Sequence, residues 1–237
     1  MSSGYSLLGL VADFAMIVGP CVGYMDQIRT IRNKRSSGGF SKFISLILLI
    51  ANILRCFFRY YKEFDNVLLY QSILMIACQL ILIFVCIRFP SSETGSIFSH
   101  PIKSFWNWTD FLSYFIFLVF FTVCTGVISF ILHPMLQELY TEMLGTVALF
   151  TEAVLAVPQV IRNWQTGSAD GLSWVLLGTF FLGDSYKTVY FYLKNQPFQF
   201  ALCGSFQLFI DFVLAFQMLR DQQSKKKQQP RGGLLGY

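Results

Sequence analysis

Long apolar segments separated by short polar segments dominate the chain. They predict seven spans at about residues 5–25, 43–61, 67–87, 110–132, 139–159, 172–193 and 198–219. Crossing the hydrocarbon core of a bilayer takes about 20 apolar residues, whereas a helix buried in a soluble protein needs only about 10 to 14. The pattern therefore predicts an all-α membrane protein with seven transmembrane helices.

The spans form an internal repeat with an offset of 132 positions. The matching pairs are Gln27 with Gln159, Gly39 with Gly171, Ser41 with Ser173, Asn52 with Asp184 and Arg55 with Lys187. The fourth span has no counterpart, and an odd connecting helix leaves both three-helix repeats in the same orientation, a known transporter plan. The predicted domains are a first repeat over 5–87, a linker and connecting helix over 88–138, a second repeat over 139–219 and a basic tail over 220–237.

Proline interrupts the first and fifth spans near their ends. Proline removes a backbone donor and kinks a helix, so these positions are candidate hinges. In the first repeat the polar segment from Gln27 to Lys42 is predicted to be a loop that Gly38-Gly39 lets turn back sharply. The predicted hinge residues are Pro20, Gly23, Gln27, Pro158 and Gln159.

Composition agrees with the membrane class. The chain has 54% hydrophobic residues, 26 Phe and only 13% charged residues, too little polar surface to cover a soluble fold. The six cysteines lie in apolar segments and are interpreted as small hydrophobic residues, with no metal and no cofactor expected. The segment before Tyr5 has no basic region or cleavage site, so no cleaved signal peptide is expected.

The cations are distributed unequally between the two ends of the predicted spans. Thirteen Lys and Arg residues fall on the side of the loops after spans one, three and five and of the tail, whereas only Lys62 and Lys194 fall on the other. This bias predicts a cytosolic C-terminus and a lumenal N-terminus. It also accounts for the net charge of +5 with no nucleic acid as a partner.

Charged and polar side chains within the spans are the candidate functional residues, since each is costly at mid-bilayer unless it faces the protein interior or water. Asp184 and Lys187 share a face of the sixth span, as Asn52 and Arg55 do in the second. The first pair is either an internal ion pair or a contact for a substrate or lipid headgroup.

Two acids are candidate proton carriers. Asp211 is predicted to be alone in an apolar turn of the seventh span, where desolvation favours its neutral form. Glu152 is in the corresponding place on the fifth span. Packing of Asp211 against a neighbouring Gln or Tyr is the structural alternative.

The sequence does not indicate an enzyme or a seven-helix receptor. It has no GxSxG, HExxH, P-loop or CxxC motif and only two histidines. The seventh span has no lysine for a retinal Schiff base, and an internal repeat around a single fourth helix is foreign to receptors.

The segment from Thr151 to Asn163, TEAVLAVPQVIRN, followed by Gly171-Leu172-Ser173, resembles the second repeat of the PQ-loop family. That family includes lysosomal cystine and cationic amino-acid exporters and is akin to the SWEET proteins. The stretches from Ala51 to Arg55 and from Gly183 to Thr188 resemble a solute-carrier branch of the family. This resemblance implies a place in endosomal and Golgi membranes, phospholipid translocation, support of endosome-to-Golgi retrograde transport, and proton coupling at Asp211.

The resemblance is incomplete in the first repeat, where Asp26 stands in place of the family's proline. The preferred hypothesis is a polar groove for phospholipid headgroups, lined by Asn52, Arg55, Asp184 and Lys187. One alternative is a proton-coupled transporter of an amino-acid-like solute, with Asp211 as the proton carrier. The other is a trafficking adaptor without transport activity. The sequence leaves the substrate and the oligomeric state open.

Overall fold

A computed structural model of the protein describes residues 7–37, 40–90, 106, 108–169 and 174–228. Within these residues all regular structure is helical. The helices are α1 (Leu7–Lys34), α2 (Lys42–Tyr61), α3 (Asn66–Arg88), α4 (Phe111–Ala153), α5 (Val157–Thr166), α6 (Trp174–Leu193) and α7 (Phe198–Gln228), with a 3₁₀ turn at Val154–Ala156.

Some of the predicted features lie outside the described residues. These are the Gly38-Gly39 turn, the linker from residue 91 to 105 with Asn107, the repeat matches at Gly171 and Ser173, and the tail after residue 228.

Five helical segments of the described chain are long and apolar enough to cross a membrane: Gly9–Lys34, Lys42–Tyr61, Asn66–Arg88, Phe111–Thr166 and Phe198–Lys225. The fourth has 56 residues, more than twice the length of one crossing. Within it Gln137 has non-helical dihedrals (φ 39°, ψ −109°), three residues after Pro134. The all-α membrane fold is confirmed, and the break at Gln137 is compatible with separate fourth and fifth spans.

The predicted loop from Gln27 to Lys42 is wrong in its first part, because α1 continues to Lys34. The helix also continues past Pro20 and Gly23, and the hinge predicted at these residues stays a prediction. Between Gly23 and Lys34 the sequence has no further Gly or Pro, and its Arg, Lys and Ile residues are compatible with a helix. Gln27 therefore lies inside a helix.

The chain divides into two compact units between Glu152 and Ala153. In the first unit α1 and α2 both pack against α3. Ile31 of α1 is buried against Leu82 and Cys86 of α3, and Leu49 of α2 is buried with Ile83 of α3. The boundary falls inside the predicted fifth span, and the internal duplication stays a prediction.

Aromatic residues ahead of α4 form part of the core of the first unit. Trp106 is buried. Its ring packs edge-on against Tyr114, whose hydroxyl donates to the carbonyl oxygens of Trp106 and Trp108, both at 3.1 Å. These contacts fix the segment before α4 against the start of that helix.

Asp110 caps the N-terminus of α4. Its carboxylate accepts hydrogen bonds from the backbone N–H and the hydroxyl of Ser113, at 2.8 and 3.0 Å. Both bonds favour the charged form and hold the pKa of Asp110 below its usual range. The cap defines where the predicted fourth span begins.

In the second unit α5 and α6 both pack against α7. The core of this unit contains Leu177 of α6 together with Ile210, Leu214 and Met218 of α7. The α7 residues recur at intervals of four, so they share one helix face. This arrangement makes α7 the central helix of the unit and brings its polar residues next to α5 and α6.

Candidate functional site

A buried ion pair joins α2 to the end of α4. The guanidinium of Arg55 contacts the carboxylate of Glu152 across 97 positions of sequence. The two side chains are 6% and 14% exposed, so the pair is largely shielded from the surroundings. Glu152 was predicted as a proton-coupling candidate, and the structure brings it to Arg55.

The ion pair belongs to an interface in which α2 and the second half of α4 run antiparallel. Three contacts define its register: Lys62 with Glu142, the ring of Phe58 with Gly145, and Arg55 with Glu152. The outermost pair is about half exposed, whereas Phe58 and Arg55 are buried. The charged contact at Arg55 is thus held by a tightly packed layer beside it.

Asn52 lies one turn before Arg55 and is also buried. Its side-chain amide donates to the carbonyl oxygen of Leu48 in its own helix, at 2.8 Å. The spacing of Asn52 and Arg55 places both buried polar side chains on one face of α2. The carbonyl oxygen of the Asn52 side chain is a candidate acceptor for a ligand.

In the second unit the structure brings three predicted residues together. Lys187 Nζ lies 3.3 Å from Asp184 Oδ1 on the same face of α6. Asp211 of α7 is only 2% exposed and lies close enough to Asp184 and Lys187 to interact electrostatically with both. The packing of α6 on α7 therefore brings Asp211 to the ion pair, a proximity that helical spacing alone does not give.

The segment around Pro158 contains a break and a polar network. The 3₁₀ turn at Val154–Ala156 interrupts the helix before Pro158, which lies in the first turn of α5. Gln159 Nε2 donates to Asn163 Oδ1 at 2.8 Å, and Asn163 Nδ2 donates to Gln217 Oε1 of α7 at 3.1 Å. Proline is tolerated there because the first turn needs no intrahelical N–H bond.

Residues 140–200 match the family model described as the PQ loop repeat. The chain therefore contains a PQ loop repeat. The matched residues cover α5, α6 and the hydrogen bond between Gln159 and Asn163. Five of the predicted site residues lie within this repeat: Glu152, Pro158, Gln159, Asp184 and Lys187.

Two known proteins are similar to this PQ-loop protein over most of its length. The scramblase ANY1 of Saccharomyces cerevisiae is 23% identical, with 88% of this chain and 70% of that protein covered. A eukaryotic SWEET transporter of solved structure aligns with a TM-score of 0.60 and 14% identity, over 92% of this chain and 96% of that one. At this identity the second likeness shows the fold alone.

The acids that pair with the cations of the first unit were not predicted from the sequence as their partners. Arg55 pairs with Glu152 and Lys62 pairs with Glu142, but neither acid is close to its partner in sequence. The available signal was the opposite sign of the charges: two cations in or directly after α2 and two acids in α4. To infer the ion pairs from this signal, one must know that α2 packs beside α4, and hydropathy does not predict which helices pack together.

Replacing Asn163 with alanine is expected to lower the free energy of unfolding of this PQ-loop protein by about 1 kcal/mol. The change removes the side-chain hydrogen bonds that Asn163 makes with Gln159 and Gln217. The loss is modest because both glutamines are only half buried, and Gln217 also donates to the carbonyl oxygen of Val160 at 3.0 Å. Thermal unfolding of the purified protein measures it, and Gln165→Ala on the exposed face of α5 is the control. Equal unfolding midpoints for the two variants would refute a stabilising role of the network.

Proposed function

We propose that this multi-pass membrane protein moves phospholipids between the two leaflets of endosomal and Golgi membranes and thereby supports endosome-to-Golgi retrograde transport. In this proposal the polar headgroup is solvated by Asn52, Arg55, Asp184 and Lys187 as it crosses. The N-terminus lies in the lumen and the C-terminus in the cytosol.

The observation that carries the proposal is that charged side chains are placed within the helices of a membrane protein. Arg55 lies in the interior of α2, which is long and apolar enough to cross a membrane, and Asp184 and Lys187 lie in the interior of the 20-residue α6. Such groups cost several kcal/mol in hydrocarbon unless they are paired or hydrated. A phospholipid headgroup carries a phosphate and faces the same cost on crossing a membrane. Fixed charges of both signs lower that cost for the headgroup.

The comparisons add independent support. ANY1, which is similar to this chain over most of its length, is named as a scramblase. Lipid scrambling needs a path for the headgroup along protein while the acyl chains stay in the bilayer. Paired charges within the helices of a membrane protein are suited to such a path, whereas a small polar solute needs an enclosed cavity.

A headgroup-accessibility assay tests the proposal directly. Purified protein is reconstituted into liposomes that carry a fluorescent phospholipid, and a membrane-impermeant quencher is added outside. With the wild-type protein we expect quenching well beyond the outer leaflet. Replacing both Asp184 and Lys187 with alanine is expected to return quenching towards that of protein-free liposomes, because the headgroup loses both charges.

The matched control is a second acid–base pair on the same unit. Asp221 and Lys225 of α7 form an exposed ion pair at 2.7 Å, four residues apart. Replacing both with alanine is expected to leave quenching at the wild-type level. Equal quenching by wild-type and empty liposomes would overturn the proposal, as would equal losses in the two double variants.

One observation favours a second function, the proton-coupled transport of a small solute. Asp211 is buried against Asp184 and Lys187, and a buried acid beside a second acid can hold or release a proton. In this alternative the same residues line a cavity for an amino-acid-like molecule. Solute flux under a proton gradient, in liposomes that show no lipid translocation, distinguishes it from the first proposal.

A further inference from the structure

We propose that Glu152 is an internal competitor that occupies Arg55 in place of a phosphate and so determines which headgroups the protein accepts. The inference deepens the proposed function and rests on it in one respect, since the ligand is taken to be a phospholipid. The sequence pattern assigned Glu152 to proton coupling, and its contact with Arg55 assigns it to this role instead.

The first step concerns the chemistry of Arg55. A guanidinium presents its N–H donors as a fork that fits carboxylate and phosphate oxygens equally well. Arg55 is a buried arginine in the interior of α2, and its Nη2 contacts Oε2 of the Glu152 carboxylate. The site therefore already holds an anionic oxygen, which the protein itself supplies.

The second step concerns charge. With Glu152 in place the pair is neutral, so an anionic headgroup gains no net attraction there. Without the charge of Glu152 the site has a net charge of +1 in a poorly hydrated environment, where Coulomb interactions are strong. Glu152 thus decreases the preference for anionic over zwitterionic headgroups, which makes it a specificity-determining residue.

Glu152 and Arg55 differ in how easily their backbone can move. Glu152 is the penultimate residue of α4, and the 3₁₀ turn at Val154–Ala156 follows immediately. Helix ends followed by 3₁₀ turns adjust more easily than helix interiors. By contrast Arg55 lies in the interior of α2, one turn from the fully buried Phe58. The carboxylate is therefore the partner that yields when a phosphate arrives.

The test measures which lipids the full-length protein retains. Wild-type protein and variants are purified in mixed micelles with equal amounts of phosphatidylglycerol and phosphatidylcholine of identical acyl chains, and bound lipids are counted by native mass spectrometry. For Glu152→Gln we expect the bound ratio of phosphatidylglycerol to phosphatidylcholine to rise about tenfold, the scale of one charge-assisted contact. For Arg55→Gln, which leaves the acid without its cation, we expect the ratio to fall below that of the wild type.

Two variants separate this inference from a general effect of charge. Glu142→Gln removes the acid of the more exposed pair with Lys62, between the same two helices, and is expected to leave the ratio unchanged. The double variant Arg55→Gln with Glu152→Gln is expected to restore the wild-type ratio. An unchanged ratio in Glu152→Gln overturns the inference, as does an equal rise in Glu142→Gln. If Glu152→Gln does not fold, an unchanged ratio in Arg55→Gln overturns it.

The readout is independent of translocation. If the ratio shifts as expected but wild-type liposomes show no headgroup flipping, the site binds anions and the proposed function fails. If wild-type protein moves lipid and the ratio does not shift, the inference fails alone. Inorganic phosphate added to Glu152→Gln distinguishes two sources of the anion: displacement of phosphatidylglycerol indicates a site open to soluble phosphate, and retention indicates a lipid site. Both results support the anion site.

Discussion

Replacing Arg55 with methionine is expected to lower the free energy of unfolding by about 3–5 kcal/mol. The substitution leaves the carboxylate of Glu152 largely shielded and without its cation. Removing one member of a buried ion pair costs more than the pair contributes, because the remaining charge must be desolvated. The unfolding midpoint of the purified protein in detergent measures the loss.

A second substitution should recover most of that stability. With Glu152 also replaced by methionine, no uncompensated charge remains, and two apolar side chains of similar volume fill the space. For this reason we expect the free energy of unfolding of the double variant to be within about 1 kcal/mol of that of the wild type. This recovery of stability distinguishes an electrostatic cost from a loss of packing. The double variant lacks both original side chains, so a loss of packing would persist in it, whereas the cost of the unpaired charge would not.

Lys62→Met is the matched control, because Lys62 also pairs with an acid of α4. Its side chain and that of Glu142 are 35% and 45% exposed, so water and ions solvate either one alone. Exposed pairs contribute about 0–1 kcal/mol. A loss with Lys62→Met as large as with Arg55→Met would show that burial does not set the cost.

Hydropathy alone predicted most of the fold. The second span, predicted at residues 43–61, is α2 at Lys42–Tyr61, and the third, predicted at 67–87, is α3 at Asn66–Arg88. These predictions succeed because a span must satisfy its backbone hydrogen bonds internally and expose apolar side chains to lipid. Both requirements are local, so sequence reveals them.

The ends of helices were harder to predict, because leaving the membrane does not end a helix. The basic segment after Met25 was interpreted as a loop, yet α1 continues as a helix to Lys34. Similarly α7 was predicted to end near Leu219 and continues to Gln228. Charges indicate where the apolar surroundings end, but they do not by themselves end a helix.

The candidate site was predicted as separate residues and not as contacts. Asp184 and Lys187 are three apart on one helix, so their 3.3 Å contact follows from helical spacing. Asp211 joins them only through the packing of α6 on α7, and Glu152 reaches Arg55 only through the pairing of α2 with α4. Contacts of this kind depend on helix packing, which one sequence does not specify.

The ring of Phe58 packs against Gly145, where the absence of a side chain lets α2 and α4 approach each other. This contact leads to a second prediction. A Cβ added at Gly145 would lie 2.6 Å from two ring atoms of Phe58 and 2.9 Å from a third. Phe58 is fully buried and packs against Phe64 at a centroid distance of 5.4 Å, so its ring has no space to move into. Glycine therefore lets α2 and α4 approach closely enough for Arg55 to reach Glu152, two turns further along α4.

Gly145→Ala is accordingly expected to lower the free energy of unfolding by about 1–3 kcal/mol, the usual cost of overpacking, although alanine is the better helix former. Gly178→Ala on α6 is the control, because an added Cβ there has nothing within 4 Å; it should raise stability by up to about 1 kcal/mol. Combining Gly145→Ala with Phe58→Leu should cost less than the sum of the single changes, since the smaller side chain relieves the clash. The same unfolding experiment measures the two single variants and the double variant. If their losses of stability simply add, the cost of Gly145→Ala is not a clash with Phe58. The close approach of α2 and α4 on which the Arg55 contact depends would then be contradicted as well.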